Sequence, residues 1–304
     1  MKTSVLLNAA AGSVDSKETA EEVARVLAAF QAVGADAVVC AVEPSGLPAA
    51  VERAARSDAD VVVLGGGDGT LNLGATVLAA DERQLKPLGI LPLGTLNHFA
   101  KDLGIPMDLD EAVGVIVAGH ERRVDLGEVN GLVFLNNSSI GIYPEVVVER
   151  EQIRHHGVVS KWAALARAAW DQLRRFPMVT VTLRLPDQTL RVTSALIFVG
   201  NNRYDMKLLR IGRRPHLDRG ELFLYVARDR SRLGFVGLAL RALFGRLDPE
   251  KDFVSVGLPW AEVATTWRRS LRVALDGEVK RLPTPLRYRV RPRALRVLAP
   301  PETA

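Results

Sequence analysis

Two short stretches of the chain combine glycine with hydroxyl and amide side chains in a way that suits phosphate. They are Gly65-Gly66-Gly67-Asp68-Gly69-Thr70 and Leu91-Pro92-Leu93-Gly94-Thr95-Leu96-Asn97-His98-Phe99-Ala100. Each follows a short apolar run and precedes a helical pattern. Glycines strip away side chains where the backbone must come close to something, and the bare amides of a helix start attract anions. Thr70 and Thr95 add hydroxyls, and Asn97 can donate and accept at the start of the helix after it. Asp68 points to more specific chemistry. A carboxylate repels phosphate unless a cation lies between them, so Asp68 implies Mg²⁺ or a proton-accepting role. The plain alternative is an ordinary glycine turn in which Asp68 caps a helix. Neither stretch is a P-loop, because GxxxxGK[ST] is absent, and neither is a clean dinucleotide fingerprint. Two strand–Gly-Thr–helix turns 25 residues apart, Gly69-Thr70 and Gly94-Thr95, would lie at one edge of one sheet, where ligands bind in open parallel sheets. A third stretch, Leu275-Asp276-Gly277-Glu278, places two acids around a tight turn and suits a metal or a general base. Asp-Gly is equally a favoured hairpin dipeptide.

These stretches need elements to hold them. Strand-like runs at Ser4–Asn8, Ala37–Val42, Asp60–Leu64 and Leu88–Pro92 alternate with helical spacing at Glu18–Phe30, Leu47–Arg56 and Leu71–Ala80. That alternation predicts a parallel, helix-flanked sheet. Beyond Val124 the rhythm changes to short Val-, Thr- and Leu-rich runs: Val129–Asn136, Met178–Leu185, Leu190–Val199, Leu222–Ala227, Arg272–Leu275 and Leu286–Val290. These predict an antiparallel sheet or sandwich. Two helices interrupt them, Lys161–Phe176 and Leu233–Phe244. The second lies within the arginine-punctuated apolar stretch 231–246, either an interfacial helix or a core helix with snorkelling arginines. Trp162 and Trp170 read as packing residues, and His155-His156 as a loop, because adjacent residues do not share a helix face.

Composition narrows the classes. Apolar residues make up 48% and charged residues 25%, which excludes a disordered chain. The single cysteine, Cys40, reads as a buried structural thiol; it excludes an intrachain disulfide framework and favours a reducing cytoplasm. No apolar window is long enough to span a bilayer, and no cleavable leader is apparent at Met1–Asn8. Net charge is +5, but residues 1–126 hold 10 Lys/Arg against 18 Asp/Glu, and residues 127–304 hold 30 against 17. The positive second half either docks against the negative first or faces something anionic such as phospholipid headgroups, and the Arg210–Arg214 cluster either touches them or is a solvated loop.

Asn8 with Gly12, the Gly66–Thr70 turn, the stretch from Pro92 to Pro106 and Asp276-Gly277-Glu278 together resemble the diacylglycerol kinase catalytic-domain family, which includes bacterial diacylglycerol kinases and sphingosine kinase-like lipid kinases. The resemblance implies an α/β N-terminal domain with a mainly parallel sheet, like that of NAD kinases and 6-phosphofructokinases, over residues 1–126. It implies a C-terminal antiparallel β-sandwich-like domain over 127–287, with 288–304 returning to the first domain and ATP in the cleft between them. By match, Asn8, Gly66, Gly67, Asp68, Gly69, Thr70, Asn72, Gly94 and Thr95 become nucleotide contacts, with Asn97 beside them. Asp68 becomes the acid that orders Mg²⁺ on the nucleotide, and Glu278 or Asp276 the base. The chain departs from the pattern at Leu73 and His98, where acids are common. It departs again at Leu217-Asp218-Arg219-Gly220: bacterial members carry an Asp-Asp-Gly turn that binds a structural Mg²⁺, and here Arg219 can supply the positive charge itself.

The expected activity is therefore transfer of the γ-phosphate of ATP to a lipid hydroxyl, by a cytoplasmic enzyme that meets the membrane peripherally. No nucleic-acid partner is expected, and a homodimer is left open. Two rivals remain: a cofactor kinase of the NAD kinase type, which shares the Gly-Gly-Asp-Gly-Thr turn, and a non-catalytic lipid-binding protein on a kinase scaffold.

Overall fold

A computed structural model of the chain describes residues 1–9, 16–80, 86–141, 178–205, 214–228, 234, 237, 241, 249–266 and 268–301. Gly12, His155-His156, the helix expected at Lys161–Phe176 and all but three residues of 231–246 lie outside the described residues. The chain divides into two units: Met1–Leu126 with Pro215–Gly220 and Arg291–Ala304, and Gly127–Arg214 with Glu221–Val290.

In the first unit, strands and helices alternate. The order is β1 (Lys2–Asn8), α1 (Ser16–Ala32), β2 (Asp36–Val42), α2 (Leu47–Arg56), β3 (Val61–Gly66), α3 (Asp68–Leu78), β4 (Leu88–Pro92), α4 (His98–Asp102) and α5 (Leu109–Ala118). The four strands pair in parallel in the order β2-β1-β3-β4. Strands β3 and β4 are buried along their whole length, which is why they read as unbroken apolar runs. Helix α1 buries Val26 and Phe30 one turn apart, each worth roughly 1.5–3 kcal/mol when fully removed from water. Helix α5 starts where the Asp108 carboxylate accepts from the amides of Asp110 and Glu111, and stops at Gly119 in the left-handed region. Cys40 is exposed, not buried. Its strand β2 is the edge of the sheet and alternates between exposed and half-buried positions, so the expected apolar burial does not occur there.

The second unit is antiparallel. Strand β5 (Glu121–Val129) crosses from the first unit and turns back at Asn130-Gly131 into β6 (Leu132–Phe134). There follow β7 (Asn137–Gly141), β8 (Val179–Arg184), β9 (Thr189–Ser194), β10 (Leu196–Asn201), β11 (Leu222–Ala227), β12 (Phe253–Leu258), β13 (Trp260–Ala264), β14 (Ser270–Leu275), β15 (Glu278–Pro283) and the long β16 (Leu286–Leu298). One sheet runs β12-β11-β10-β7-β14-β15. The first residues of β16 pair with β13, and β8 and β9 continue from there. Val181, Leu183, Val263 and Leu286 on these strands share one core with Ile197, Val199, Leu224, Val273 and Leu275 of the six-stranded sheet. This is the sandwich expected from the run of short strands. The Leu190–Val199 run is two strands rather than one. The chain turns a corner at Ser194, whose buried hydroxyl donates to the carbonyls of Leu196 and Ala227, and passes from β9 to β10 in the other sheet.

Tyr225 and Tyr288 are buried in this unit. Burial pushes the Tyr225 phenol up to about 12. Burial raises Tyr288 as well, with the hydrogen bond to the Ser138 hydroxyl pulling the other way. An unfolded phenol ionises near pH 10. Both groups therefore contribute stability that is complete below about pH 10 and is lost as pH rises towards the folded values. Urea midpoints measured from pH 9 upward should fall in the wild-type chain and fall less steeply in Tyr225→Phe/Tyr288→Phe. An identical decline in both would contradict the assignment.

Candidate functional site

The two glycine turns sit at the C-terminal ends of neighbouring strands. The β3–β4 register sets Gly65 opposite Leu91 and Gly66 opposite Pro92, and β1 on the other side sets Leu7 opposite Gly65. Asn8, the Gly66–Thr70 turn and Gly94 therefore share one edge of the parallel sheet. The Asn8 amide donates to the Thr70 hydroxyl at 2.8 Å. Gly67 and Gly94 bring the two turns into backbone contact: a Cβ added at Gly94 would overlap the Gly67 Cα, and one at Gly67 would reach the Gly94 Cα at 3.4 Å. Glycine at 94 is thus required by close approach.

Asp68 braces the contact. Its carboxylate accepts from the backbone amides of His98, at 3.1 Å, and Phe99, at 3.0 Å, and so caps α4 beyond the second turn rather than its own helix. Gly67 is the N-cap of α3, and no side chain caps that helix, so its first amides present an uncapped helix start. Asn97 takes the left-handed conformation at φ 51° and folds its side chain into its own loop. Its amide donates to the carbonyls of Pro92 (2.9 Å) and Gly94 (2.7 Å), and its oxygen accepts from the Gly94 amide at 3.1 Å. Asn97 and Thr70 are buried struts of the turns, while Gly69 and Thr95 are exposed and Asn72 half-buried. A cradle that glycine alone can line, with uncapped helix amides, fits the phosphates of a nucleotide. One carboxylate, each of whose oxygens can accept more than one bond, fits a cation carried mainly on phosphate oxygens.

In the second unit, Asp276-Gly277 is the two-residue turn between β14 and β15, with both residues at positive φ (47° and 90°). The hairpin alternative for this dipeptide is thus what the chain adopts, and the two acids separate in role. The Asp276 carboxylate accepts from three consecutive amides, Leu135 at 2.7 Å, Asn136 at 2.8 Å and Asn137 at 3.0 Å, while its own amide donates to the Asn137 carbonyl. Glu278 is exposed on 63% of its side chain, with the Lys280 ammonium 3.6 Å away. Arg214, read from sequence as a headgroup contact or a solvated residue, is instead 3% exposed. It donates to the carbonyls of Leu135 and Asn201 and to the Asn136 side-chain oxygen. Asp276 and Arg214 grip the same three-residue segment from the two sides of its peptide groups, and no local sequence signal announces this.

The Leu217–Gly220 turn does not fit a structural cation. Asp218 faces the Arg293 guanidinium at 3.9 Å, and the Arg219 guanidinium lies 3.1 Å from His216 Nε2. The acid that organises the turn is Asp125, 1% exposed, which accepts from the amides of Gly220 (2.6 Å) and Arg293 (2.7 Å). Among the described residues no three His, Cys, Asp or Glu side chains gather as a metal-binding group. At Asp218, where the resemblance implies a structural Mg²⁺ but Arg219 replaces an acid, the Arg293 guanidinium is the neighbour, and among the described residues the buried Asp125 beside it is engaged by backbone amides.

The parallel α/β unit with its paired glycine turns, and the antiparallel sandwich, are the two-part fold class expected from the sequence. Residues 2–129 match the family model described as diacylglycerol kinase catalytic domain. Among curated proteins, a "Diacylglycerol kinase" of Staphylococcus haemolyticus is 32% identical over 149 residues, covering 49% of this chain and 44% of that protein. One of Staphylococcus saprophyticus is 32% identical over 155 residues, covering 50% of each. The chain spans about half the length of the curated relatives it matches. The crystal structure of a diacylglycerol kinase from Bacillus anthracis superposes with a TM-score of 0.69 at 22% identity, covering 99% of this chain and 97% of that one. The likeness to that structure shows the fold, and the sequence matches carry the catalytic-domain pattern through the N-terminal part of the chain. Among the described residues no helix is long and apolar enough to cross a membrane.

Proposed function

We propose that this chain is an ATP-dependent lipid kinase that transfers the γ-phosphoryl group to a hydroxyl of diacylglycerol or a related lipid. It would work from the cytoplasm as a peripheral protein at a membrane surface. The observation that carries the reading is the contact of Gly67 with Gly94 beneath an uncapped helix start, locked by Asp68. The relatives' printed name and the positive excess of residues 127–304 support a lipid acceptor. When bound, ATP supplies the phosphoryl group and Mg²⁺ neutralises charge on its oxygens. The remaining work falls to the chain. Gly66, Gly67, Gly69 and Gly94 keep the backbone bare so that amides can approach phosphate. Asn8 and Thr70 hold the first turn, Asn97 holds the second, and Asn72 and Thr95 offer polar atoms beside them. Asp68 fixes one turn on the other and offers its carboxylate towards the cation. Glu278, exposed and beside the Lys280 ammonium, takes the proton of the attacking hydroxyl, and Asp276 positions the turn that carries it.

The Gly94 contact gives a direct test. Gly94→Ala forces the turns apart, and misplacement on the order of 1 Å at a reacting group lowers rate by roughly 10²-fold. Its kcat/KM for ATP is expected to fall by about that factor, with a dispersed lipid as acceptor. Wild-type kinetics in Gly94→Ala would remove the cradle from the account. Substituting NAD for the lipid separates the cofactor-kinase alternative: label should enter lipid and not NAD.

A further inference from the structure

The second glycine turn holds an apolar side chain out in water. Leu96 lies two residues beyond Gly94, at most about 7 Å along the chain, and is 56% exposed. That exposure is built into the loop. Asn97, next in the chain, is left-handed and ties its side chain to Pro92 and Gly94, and the exposed Lys101 ammonium donates to the Leu96 carbonyl at 2.6 Å. With its backbone held from both sides, Leu96 stays outside the core that takes up Phe99, Ala100 and Leu103 of the same stretch. Met107 stands against the same loop. Its sulfur lies 4.0 Å from the Asn97 amide nitrogen, and it is 44% exposed. Residues 86–141, which carry the turn, α4 and α5, are all described.

A lone exposed leucine or methionine is ordinary on a protein surface. These two are set apart by standing together on a braced loop that also carries one wall of the phosphate cradle. The charges around them are mixed, with Lys101 on one side and Asp108, Asp110 and Glu111 at the start of α5 on the other. Such a rim has no strong pull towards anionic headgroups, so what it offers a partner is apolar contact. The hydroxyl of a diacylglycerol sits on the carbon next to its acyl esters. It cannot rise far from the headgroup layer while the tails stay in the bilayer, so a kinase for it must bring its cradle down to the membrane. We propose, taking the lipid-kinase reading as given, that Leu96 and Met107 insert into the headgroup–acyl boundary and seat the cradle at the level of the acceptor hydroxyl. Apolar side chains of interfacial segments reach roughly 5–10 Å into that boundary. A second copy of the chain fits less well, because a stable interface needs about 800 Å² on each partner and two side chains supply a fraction of it.

The deciding test puts a reporter on the rim of the full chain. Leu96→Trp is mixed with phosphatidylcholine vesicles in the absence of nucleotide, so insertion can be read whether or not the chain turns over ATP. Its fluorescence should move to shorter wavelength, beyond any change in the wild-type chain, whose four tryptophans report contact elsewhere. Val33→Trp is the control. Val33 is also exposed, but it follows α1 at the end of the sheet where β2 begins, away from the glycine turns, and its reporter should not respond. In turnover, Leu96→Gln/Met107→Gln should raise the KM for vesicle-borne diacylglycerol by about tenfold or more, since burying one such side chain is worth at least roughly that factor. The KM for ATP should stay near the wild-type value. An unresponsive Leu96→Trp, an equal response from Val33→Trp, or a blue shift that grows with protein concentration without vesicles and so assigns the rim to a second copy would each overturn the proposal. So would an equal rise in the KM for ATP, which would make the two residues struts of the cradle. Insertion without phosphoryl transfer would instead remove the kinase reading and leave the membrane contact standing.

Discussion

Replacing Glu278 with glutamine should lower phosphoryl transfer to lipid by about 10²–10⁴-fold, the range supplied by a positioned general base, while leaving the thermal midpoint nearly unchanged. The expectation follows from where the side chain sits. Glu278 begins β15 and is 63% exposed, and among the described residues the cation beside it is Lys280 at 3.6 Å, so little of the fold depends on it. Surface ion pairs of this kind contribute about 0–1 kcal/mol. The loss should fall on kcat more than on the KM for ATP, because a base acts on the lipid hydroxyl in the transition state. Activity within a few-fold of wild type would exclude Glu278 from that role.

Asp276→Ala should behave in the opposite way, as a stability variant first. The carboxylate accepts from the amides of Leu135, Asn136 and Asn137. Removing it strands three backbone donors, at roughly 1–3 kcal/mol for each one left without a partner. A loss of about 3 kcal/mol or more in urea unfolding is expected, with activity declining because the turn that carries Glu278 loses its anchor. The two acids lie two residues apart and look interchangeable in sequence. The fold makes one a strut and leaves the other facing solvent. If Asp276→Ala unfolds at the wild-type urea midpoint, the anchoring role fails.

How much of this the sequence reveals depends on whether the signal is local. Helix α2 and strand β4 have the bounds their sequences announce, because Gly46, Pro48 and Pro92 punctuate them. Strands β3 and β4 are buried on both faces and read as continuous apolar runs, which makes the parallel sheet and the edge that carries its glycine turns legible. The glycine turns were legible for the same reason: each lies directly after such a strand. The Asn130-Gly131 hairpin carries a recognisable dipeptide yet is hidden inside what reads as one strand, Val129–Asn136. What escaped is set by distant partners. Ser194 turns a corner because Ala227 offers it a carbonyl. Cys40 is exposed because β2 happens to be an edge. Asp125 is buried by bonds to Gly220 and Arg293, 95 and 168 residues away, and Arg214 by bonds to Leu135 and Asn136, 79 and 78 residues away. Asp68 reads in sequence as a carboxylate beside phosphate, but its hold on α4 depends on the sheet register that brings the two turns together.

The central claim is transfer of phosphate from ATP to a lipid hydroxyl. It is tested most directly by incubating the purified chain with γ-labelled ATP, Mg²⁺ and total lipid extract, and counting label in the organic phase. Label should accumulate there with the wild-type chain and remain at background with Glu278→Gln. A wild-type chain that leaves the organic phase unlabelled, or a glutamine variant that labels it at the wild-type rate, would contradict the account.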